Sequence, residues 1–226
     1  MEREYLTAPV TIVCGYYGSG KTTFSLNLAR RVSGAPLTLM DMDVVNPYFR
    51  SSDYRAELEA AGVRVIAPNF AGTMLDIPSL NPAIAGILES GERVLIDAGG
   101  DDAGATALGC FAHLIAKRPY EMLYVINRSR PLASEPEEAA EILKAIEKTS
   151  RLRATGLVNN THWGAGTTPQ LLEESLPYAA AVSRLTGLPV KYTAVEKGLV
   201  PQVERLEGDP AVGSLFPMDL PVQPPW

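Results

Sequence analysis

One octapeptide restricts the fold of this chain more than any other segment. It reads Gly15-Tyr16-Tyr17-Gly18-Ser19-Gly20-Lys21-Thr22 and has the form G-x-x-x-x-G-K-[ST]. An apolar run at 10–14 directly precedes it, and an amphipathic segment at 21–32 directly follows. A short apolar run followed by helical periodicity predicts a buried strand, a glycine-rich turn and a helix. The octapeptide therefore predicts a strand–turn–helix unit of an α/β sheet.

The same spacing predicts the chemistry of the turn. Glycines allow backbone N–H groups to converge on phosphate oxygens, and the following helix directs its positive dipole end to the same anion. We expect Lys21 to reach the β- and γ-phosphates and the Thr22 hydroxyl to bind Mg²⁺. The predicted nucleotide-binding residues of this segment are Gly15, Tyr16, Tyr17, Gly18, Ser19, Gly20, Lys21, Thr22 and Thr23.

The rest of the chain alternates between apolar runs and amphipathic segments. Predicted strands lie at 10–14, 37–40, 63–67, 93–96, 122–127, 154–159 and 190–195. Predicted helices lie at 21–32, 79–89, 103–117 and 134–147, with a capping box at Ser134 and Glu137, and after the N-cap Thr168, with a kink or break at Pro177. The runs are apolar nearly throughout, which is typical of strands covered on both faces. The pattern predicts βαβ units in an open, twisted, mostly parallel sheet.

Composition predicts one globular domain. Hydrophobic residues make up 46% of the chain and charged residues 20%, which is ordinary for a folded protein. No break in composition marks a boundary, so we expect a single domain over 1–226. The tail at 216–226 contains four prolines. It is interpreted as a loose terminus or, alternatively, an extended arm whose Trp226 contacts a partner.

Three carboxylates follow predicted strands. Asp41 and Asp43 come after the second strand, and Asp97 ends the fourth in the sequence Asp97-Ala98-Gly99-Gly100. We expect Asp97 to hold Mg²⁺ through water, Asp41 to support the metal site and Asp43 to orient the attacking water. The Gly100 N–H is expected near a γ-phosphate. The Asp41–Asp43 pair is otherwise interpreted as solvated turn residues.

Polar residues also follow the sixth predicted strand. Asn159 and Asn160 end it, and an asparagine amide offers a donor and an acceptor to a purine edge. Asparagine is equally common in turns, so both interpretations stay open. His162 is interpreted as either a loop residue or a base contact, and His113 as structural.

Charge and cysteine content argue against other classes. The chain has 20 basic and 26 acidic residues, a net charge of −6, so we expect no general binding to nucleic acid or anionic membranes. Cys14 and Cys110 form no metal-binding pattern. Residues 1–9 lack the apolar core of a signal peptide, and no apolar run reaches the length of a membrane span. We expect a cytoplasmic protein.

Taken together, these motifs resemble the SIMIBI class of P-loop NTPases, in the MinD/ParA/CobQ-like branch, over about 10–200. The resemblance implies a three-layer α/β/α fold with seven or eight strands and the Asp97 strand beside the P-loop strand. It also implies a bound Mg²⁺-nucleotide and, in many members, a nucleotide-sandwich homodimer. Asn159 and Asn160 would then bind the base, with a second base-proximal loop at 195–197.

One position departs from that branch. Its dimerising ATPases have a second lysine, in a pattern like G-K-G-G-x-G-K-T, where this chain has Tyr16. Arg50 is one candidate for the missing charge, although it is interpreted first as a surface residue. The cysteine ligands of the nitrogenase iron protein have no counterpart, which argues against a bridging metal cluster.

Three functions remain open from the sequence. The first is Mg²⁺-dependent binding and slow hydrolysis of a nucleotide, acting as a conformational switch on an unidentified protein partner. ATP is favoured over GTP because an N-K-x-D guanine motif is absent. The second is an ATP-dependent synthetase like dethiobiotin synthetase or cobyrinic acid amide synthase, with a substrate pocket from 69–82 and 101–106. The third is a nucleotide-binding module with negligible turnover.

Overall fold

The computed structural model describes residues 5–32, 36–43, 50–66, 82–100, 102–164 and 166–220. The strands within them are β1 Val10–Gly15, β2 Leu37–Met42, β3 Val63–Ile66, β4 Arg93–Ala98, β5 Tyr120–Ile126, β6 Gly156–Asn159, β7 Val190–Glu196 and β8 Ser214–Met218. The α-helices are α1 Lys21–Arg30, α2 Arg55–Ala60, α3 Pro82–Ser90, α4 Asp102–Ile115, α5 Pro136–Ser150, α6 Pro169–Thr186 and α7 Val200–Val203. Short 3-10 turns lie at Ser51–Tyr54, Lys197–Leu199 and Glu204–Leu206.

All eight strands form one parallel sheet in the order β3-β2-β4-β1-β5-β6-β7-β8. The sheet confirms the predicted α/β fold with eight strands, and β4 is paired with β1 as the resemblance implied. In a parallel sheet every strand ends at the same edge. The loops that follow β1, β2, β4, β5 and β6 therefore meet at the carboxyl edge, where ligands bind in open α/β sheets.

Two hydrophobic cores cover the two faces of the sheet. One core packs side chains of α3, α4, α5 and α6 against strand residues such as Ile12 and Ile96. The other packs α1 and α2 against residues such as Val13 and Leu95 on the opposite face. Neighbouring strand residues point to opposite faces, so the strands are apolar throughout because both faces are covered. None of the described helices is long and apolar enough to cross a membrane.

Several predicted boundaries differ from the structure. Strand β2 extends two residues further than predicted and thereby includes Asp41, and α2 was not predicted. Helix α6 continues through Pro177 without a break. The prediction of Thr168 as its N-cap is confirmed, since its hydroxyl accepts from the Leu171 N–H at 3.2 Å. The predicted capping box of α5 is wrong by one residue, because Glu135 and Glu138 form it.

The interpretation of the tail as a loose terminus is wrong for its first residues. Phe216 lies in β8, which pairs with β7, and is fully buried. Its ring packs 4.7 Å from that of Tyr5 and 4.8 Å from that of Phe24, centroid to centroid. The Arg31 guanidinium carbon lies 4.5 Å from the Phe216 ring centroid. Trp226 lies outside the described residues.

We predict that Phe216→Ala lowers the free energy of unfolding by about 3–5 kcal/mol, because truncating a buried phenylalanine leaves a cavity. Leu220→Ala is the matched control two residues beyond the strand, since Leu220 is exposed. Urea unfolding of both variants and the wild type measures the effect. A loss below about 1 kcal/mol for Phe216→Ala, the size expected at a surface site, would mean that this segment does not belong to the folded core.

Candidate nucleotide-binding site

The turn between β1 and α1 exposes backbone donors. The Ser19 N–H donates to the Tyr16 carbonyl at 3.1 Å, which closes the turn. Gly20 precedes α1 in the left-handed region, at φ 90°, and no side chain caps the helix. A Cβ at Gly20 would collide with the Asn160 amide nitrogen, so both conformation and space require glycine. The uncapped first N–H groups of α1 suit an anion such as phosphate.

Lys21 bends back over this turn. Its Nζ donates to the Tyr16 carbonyl at 3.1 Å, and the side chain is largely buried. Gly100 approaches from the β4–α4 connection, where a Cβ would lie 2.5 Å from the Lys21 Nζ and 2.9 Å from the Tyr17 backbone nitrogen. Only glycine allows that approach. The structure thus brings Gly100 beside the residues expected to hold the phosphates.

Two acidic residues are buried side by side at the same edge. Asp41 of β2 and Asp97 of β4 are direct register partners, exposed by 2% and 0%. The Ser25 hydroxyl donates to Asp97 Oδ1 at 3.1 Å. Asp97 Oδ2 is also buried and has no hydrogen-bond partner among the described residues. Asp41 accepts from the N–H groups of Asp43 and Ser52, at 3.1 and 2.9 Å.

Burial changes the acidity of both carboxyl groups. The pKa of Asp97 rises to about 7, mainly because burial disfavours its charged form and further because Asp41 lies nearby. Lys21 and the Thr22 and Ser25 hydroxyls oppose that rise. Burial also raises the pKa of Asp41, against the hydrogen bonds from Ser52 and Asp43. The pair is therefore stabilised by a proton or by an added cation.

These residues fit a magnesium site of the P-loop kind. Mg²⁺ uses one or two protein oxygens and takes its other ligands from phosphates and water. The Thr22 hydroxyl begins α1, and Asp97 Oδ2 is a buried acceptor without a donor among the described residues. No group of three or more His, Cys, Asp or Glu side chains in the described ranges is placed to hold a metal. The donor set therefore suits a metal that arrives with a phosphate ligand.

The predicted water-orienting residue lies next to this pair. Asp43 is half-buried, and its own N–H is held by Asp41. Arg50 directly precedes the 3-10 turn at Ser51–Tyr54, and its N–H donates to Asp53 Oδ2 at 3.0 Å. Two segments were predicted to form a substrate pocket. In the first, 69–81 lie outside the described residues and Pro82 begins α3. In the second, 102–106 form the start of α4. The roles of Asp43 and Arg50 stay predictions.

The two asparagines at the end of β6 differ in their contacts. The Asn159 Nδ2 donates to the Ser175 hydroxyl at 2.8 Å, and its Oδ1 accepts from the Thr161 hydroxyl at 2.9 Å. Asn160 instead donates to the Ser19 carbonyl in the phosphate-binding turn, at 2.7 Å. Asn159 thus connects β6 to α6, whereas Asn160 lies at the site. A base-binding role for either residue stays a prediction.

Sequence reasoning did not identify two further residues at this edge. Ser25 was not singled out, although it follows Lys21 by one helical turn and donates to Asp97.

Arg130 is the second residue that sequence reasoning missed. It lies in the turn after β5, against Gly18. His162 also contacts the turn, and its pKa is lowered by burial and then by Arg130. His113 is exposed on α4. Of the two missed residues, only Ser25 could have been identified from the sequence, because it lies one helical turn after Lys21.

Several solved structures share this architecture. Cell division protein FtsY from Thermotoga maritima is 22% identical with a TM-score of 0.56, over 86% of this chain and 65% of that one. Signal recognition particle receptor FtsY from Elizabethkingia anophelis, in complex with GDP, is 20% identical with a TM-score of 0.53, over 86% and 58%. FtsY from Mycoplasma mycoides is 18% identical with a TM-score of 0.54, over 85% and 62%. No protein-family model and no curated protein sequence matches the chain.

These likenesses establish the fold. The chain has the α/β P-loop NTPase fold, and the likeness to these structures does not support the MinD/ParA/CobQ-like branch in particular. The chain spans only about 58–65% of the length of these proteins.

We predict that Asp97→Asn stabilises the protein without ligand, and more so at high pH. The folded-state pKa is about 7, above the ordinary 3.8, so the folded wild type keeps a proton that the unfolded chain has lost. Its stability therefore falls as pH rises from about 4 to 7, and asparagine escapes that loss. The stability gain over wild type should grow by roughly 2 kcal/mol from pH 5 to pH 8.

Urea unfolding at the two pH values, without Mg²⁺ or nucleotide, measures this gain. Asp219→Asn removes an exposed carboxylate at the end of β8 and serves as the control. The same pH dependence in both variants would show that Asp97 is not an electrostatically strained group.

Proposed function

We propose that this chain binds a Mg²⁺-nucleoside triphosphate at the turn between β1 and α1 and hydrolyses it slowly, as a switch for a protein partner. The observation that supports this best is a convergence. Three features meet at one edge of the sheet: Lys21, the uncapped start of α1, and the buried Oδ2 of Asp97, which has no hydrogen-bond partner among the described residues. Donors for phosphate and an acceptor for metal-bound water thus lie together. On this proposal 1–226 form one nucleotide-binding domain in the cytoplasm.

GTP is the first candidate for the nucleotide. The absence of an N-K-x-D motif favoured ATP, but one of the proteins that share the fold was solved in complex with GDP. Asn160 is the candidate for contacting the base beside the phosphate-binding turn, because its Nδ2 donates to the Ser19 carbonyl. Either base offers an acceptor to an amide donor, so GTP and ATP belong in the same experiment.

Turnover should be slow for an electrostatic reason. Bound Mg²⁺ would supply positive charge to the phosphates. Lys21 and the backbone N–H groups of the turn would hold them, while Asp43 would orient the attacking water. Tyr16 lies where dimerising ATPases of the resembled branch have a second lysine, and a neutral side chain adds no charge in the transition state. A missing cation of that kind lowers the rate by about 10³–10⁵ in related chemistry. A homodimer that uses such a lysine in trans is therefore not expected.

The contact of Gly100 with Lys21 suggests how the switch would work. Gly100, after β4, lies against the Lys21 Nζ and the Tyr17 backbone. A γ-phosphate bound by Lys21 would need that same space, so its arrival or loss would move Gly100. Three of the five large apolar side chains exposed in the described part of the chain, Tyr17, Leu132 and Trp163, are on loops at this edge. An exposed apolar surface next to the moving segment suits a protein partner.

We predict that Lys21→Ala removes most of the nucleotide-induced stabilisation. A ligand at about 100 times its dissociation constant stabilises the wild type by roughly 2.7 kcal/mol, or about 5–10 °C in melting temperature for a chain of this size. Thermal unfolding with Mg²⁺ and GTP, ATP, GDP or ADP measures the shift. Lys144→Ala, at an exposed position of α5, is the charge-matched control. No wild-type shift with any nucleotide at millimolar concentration would refute the proposed function.

We predict that Asp43→Asn keeps nucleotide affinity and lowers turnover by about 10²–10⁴, the usual contribution of a positioned proton acceptor. Phosphate release at saturating nucleotide measures turnover, and calorimetry measures affinity. Asp219→Asn controls for the loss of one negative charge at an exposed position after β8. Unchanged turnover in Asp43→Asn would assign the water-orienting role to another residue.

A further inference from the structure

Arg130 lies on the β5 side of the phosphate-binding turn. A Cβ at Gly18 would be 3.4 Å from the Arg130 Nε and 3.6 Å from its guanidinium carbon. Lys21 Nζ contacts Gly100, which follows β4 on the other side of β1. Two cationic side chains therefore flank the turn from its two neighbouring strands.

A defined turn holds Arg130 in this place. The Arg130 N–H donates to the Asn127 carbonyl at 3.2 Å, and the Arg130 carbonyl accepts from the Ala133 N–H at 3.2 Å. The Asn127 Oδ1 accepts from the Ser129 N–H at 2.9 Å. These bonds fix the backbone on both sides of the residue, so its approach to Gly18 follows from the local fold.

Within the part of the chain that the structure describes, no acceptor or carboxylate compensates the Arg130 guanidinium group. Its Nε is buried and has no hydrogen-bond partner among the described residues, and none of the ion pairs found among them includes Arg130. An unsatisfied buried donor costs about 1–3 kcal/mol, and more when it is charged. An anionic ligand at the turn would supply the missing acceptor.

The neighbouring groups favour an anion as well. The half-buried His162 ring faces the turn at Gly20, and burial together with Arg130 lowers its pKa, which favours the neutral ring. Asn160 presents an amide donor in the same place. At Gly18 and Gly20 the described side-chain contacts are thus donors and one cation, on a chain whose net charge is −6.

We propose that Arg130 binds phosphate oxygens of the nucleotide within the same chain, from the side opposite Lys21. This rests on the proposed function and adds a residue to it. A guanidinium is always charged and offers two parallel donors to a phosphate. Arg130 thereby provides in cis part of the charge that a lysine at position 16 supplies in trans in the resembled ATPases.

The test compares Arg130→Gln with Arg128→Gln, two changes that each remove one positive charge from the same loop. Arg128 is exposed and donates to the Glu174 carbonyl at 3.0 Å. Calorimetry measures the affinity of each variant for Mg²⁺-GTP, Mg²⁺-ATP and Mg²⁺-tripolyphosphate, a probe without a base. We expect Arg130→Gln to lose about 10- to 100-fold in affinity for tripolyphosphate and for the nucleotide that the wild type binds, and Arg128→Gln to lose less than threefold.

Unfolding without ligand separates this role from a structural one. Removing an uncompensated cation should leave the stability of Arg130→Gln unchanged or raised, whereas a residue that only supports the fold would lower it. Equal affinities for the two variants would refute the role of Arg130 and leave the proposed function standing. A loss confined to the nucleotide, without a loss for tripolyphosphate, would also refute phosphate contact. If wild type binds neither GTP nor ATP, the proposed function fails and this inference fails with it.

Discussion

The fully buried carboxyl group of Asp97 is the constraint to which the rest of the site is fitted. A charge without water needs partners, and the nearest neighbour across the sheet, Asp41, is itself acidic. Lys21 and the Ser25 hydroxyl offset part of the cost, and the pKa of about 7 shows that they do not offset all of it. A bound cation would offset the remaining free-energy cost of burying the carboxylate, so the site is suited to a metal ion.

The packing of helix α1 places a cation and a hydroxyl donor next to Asp97. Lys21 and Ser25 are one turn apart and so lie on the same face, directed to β4. The other faces of the helix are held by apolar side chains, among them Phe24, Leu26 and Leu28, which are buried in the core shared with β1 and β4. Apolar packing therefore sets the distance between the acidic strand and the basic start of the helix. The same placement leaves the first N–H groups of α1 open at the edge of the sheet.

Much of this arrangement could be predicted, because its signals are local. The turn at 15–22 and the strands around it follow from short apolar runs and glycine spacing. Strand β8 could not be predicted in the same way, since Pro217 hides its pattern. Proline is tolerated there because β8 is an edge strand. The contacts of Arg130 with Gly18 and of Asn160 with Ser19 join residues more than 100 positions apart, and no local pattern encodes them. The partner surface and the choice of base depend on such contacts as well.

A crystal structure with Mg²⁺ and a non-hydrolysable GTP analogue tests the central claim most directly. The account predicts a β-phosphate within hydrogen-bond distance of the backbone N–H groups of residues 18–22. It also predicts that the Lys21 Nζ leaves the Tyr16 carbonyl for the phosphates, and that Mg²⁺ lies between the Thr22 hydroxyl and a water held by Asp97. An analogue bound elsewhere on the chain, with the Lys21–Tyr16 hydrogen bond intact, would contradict it.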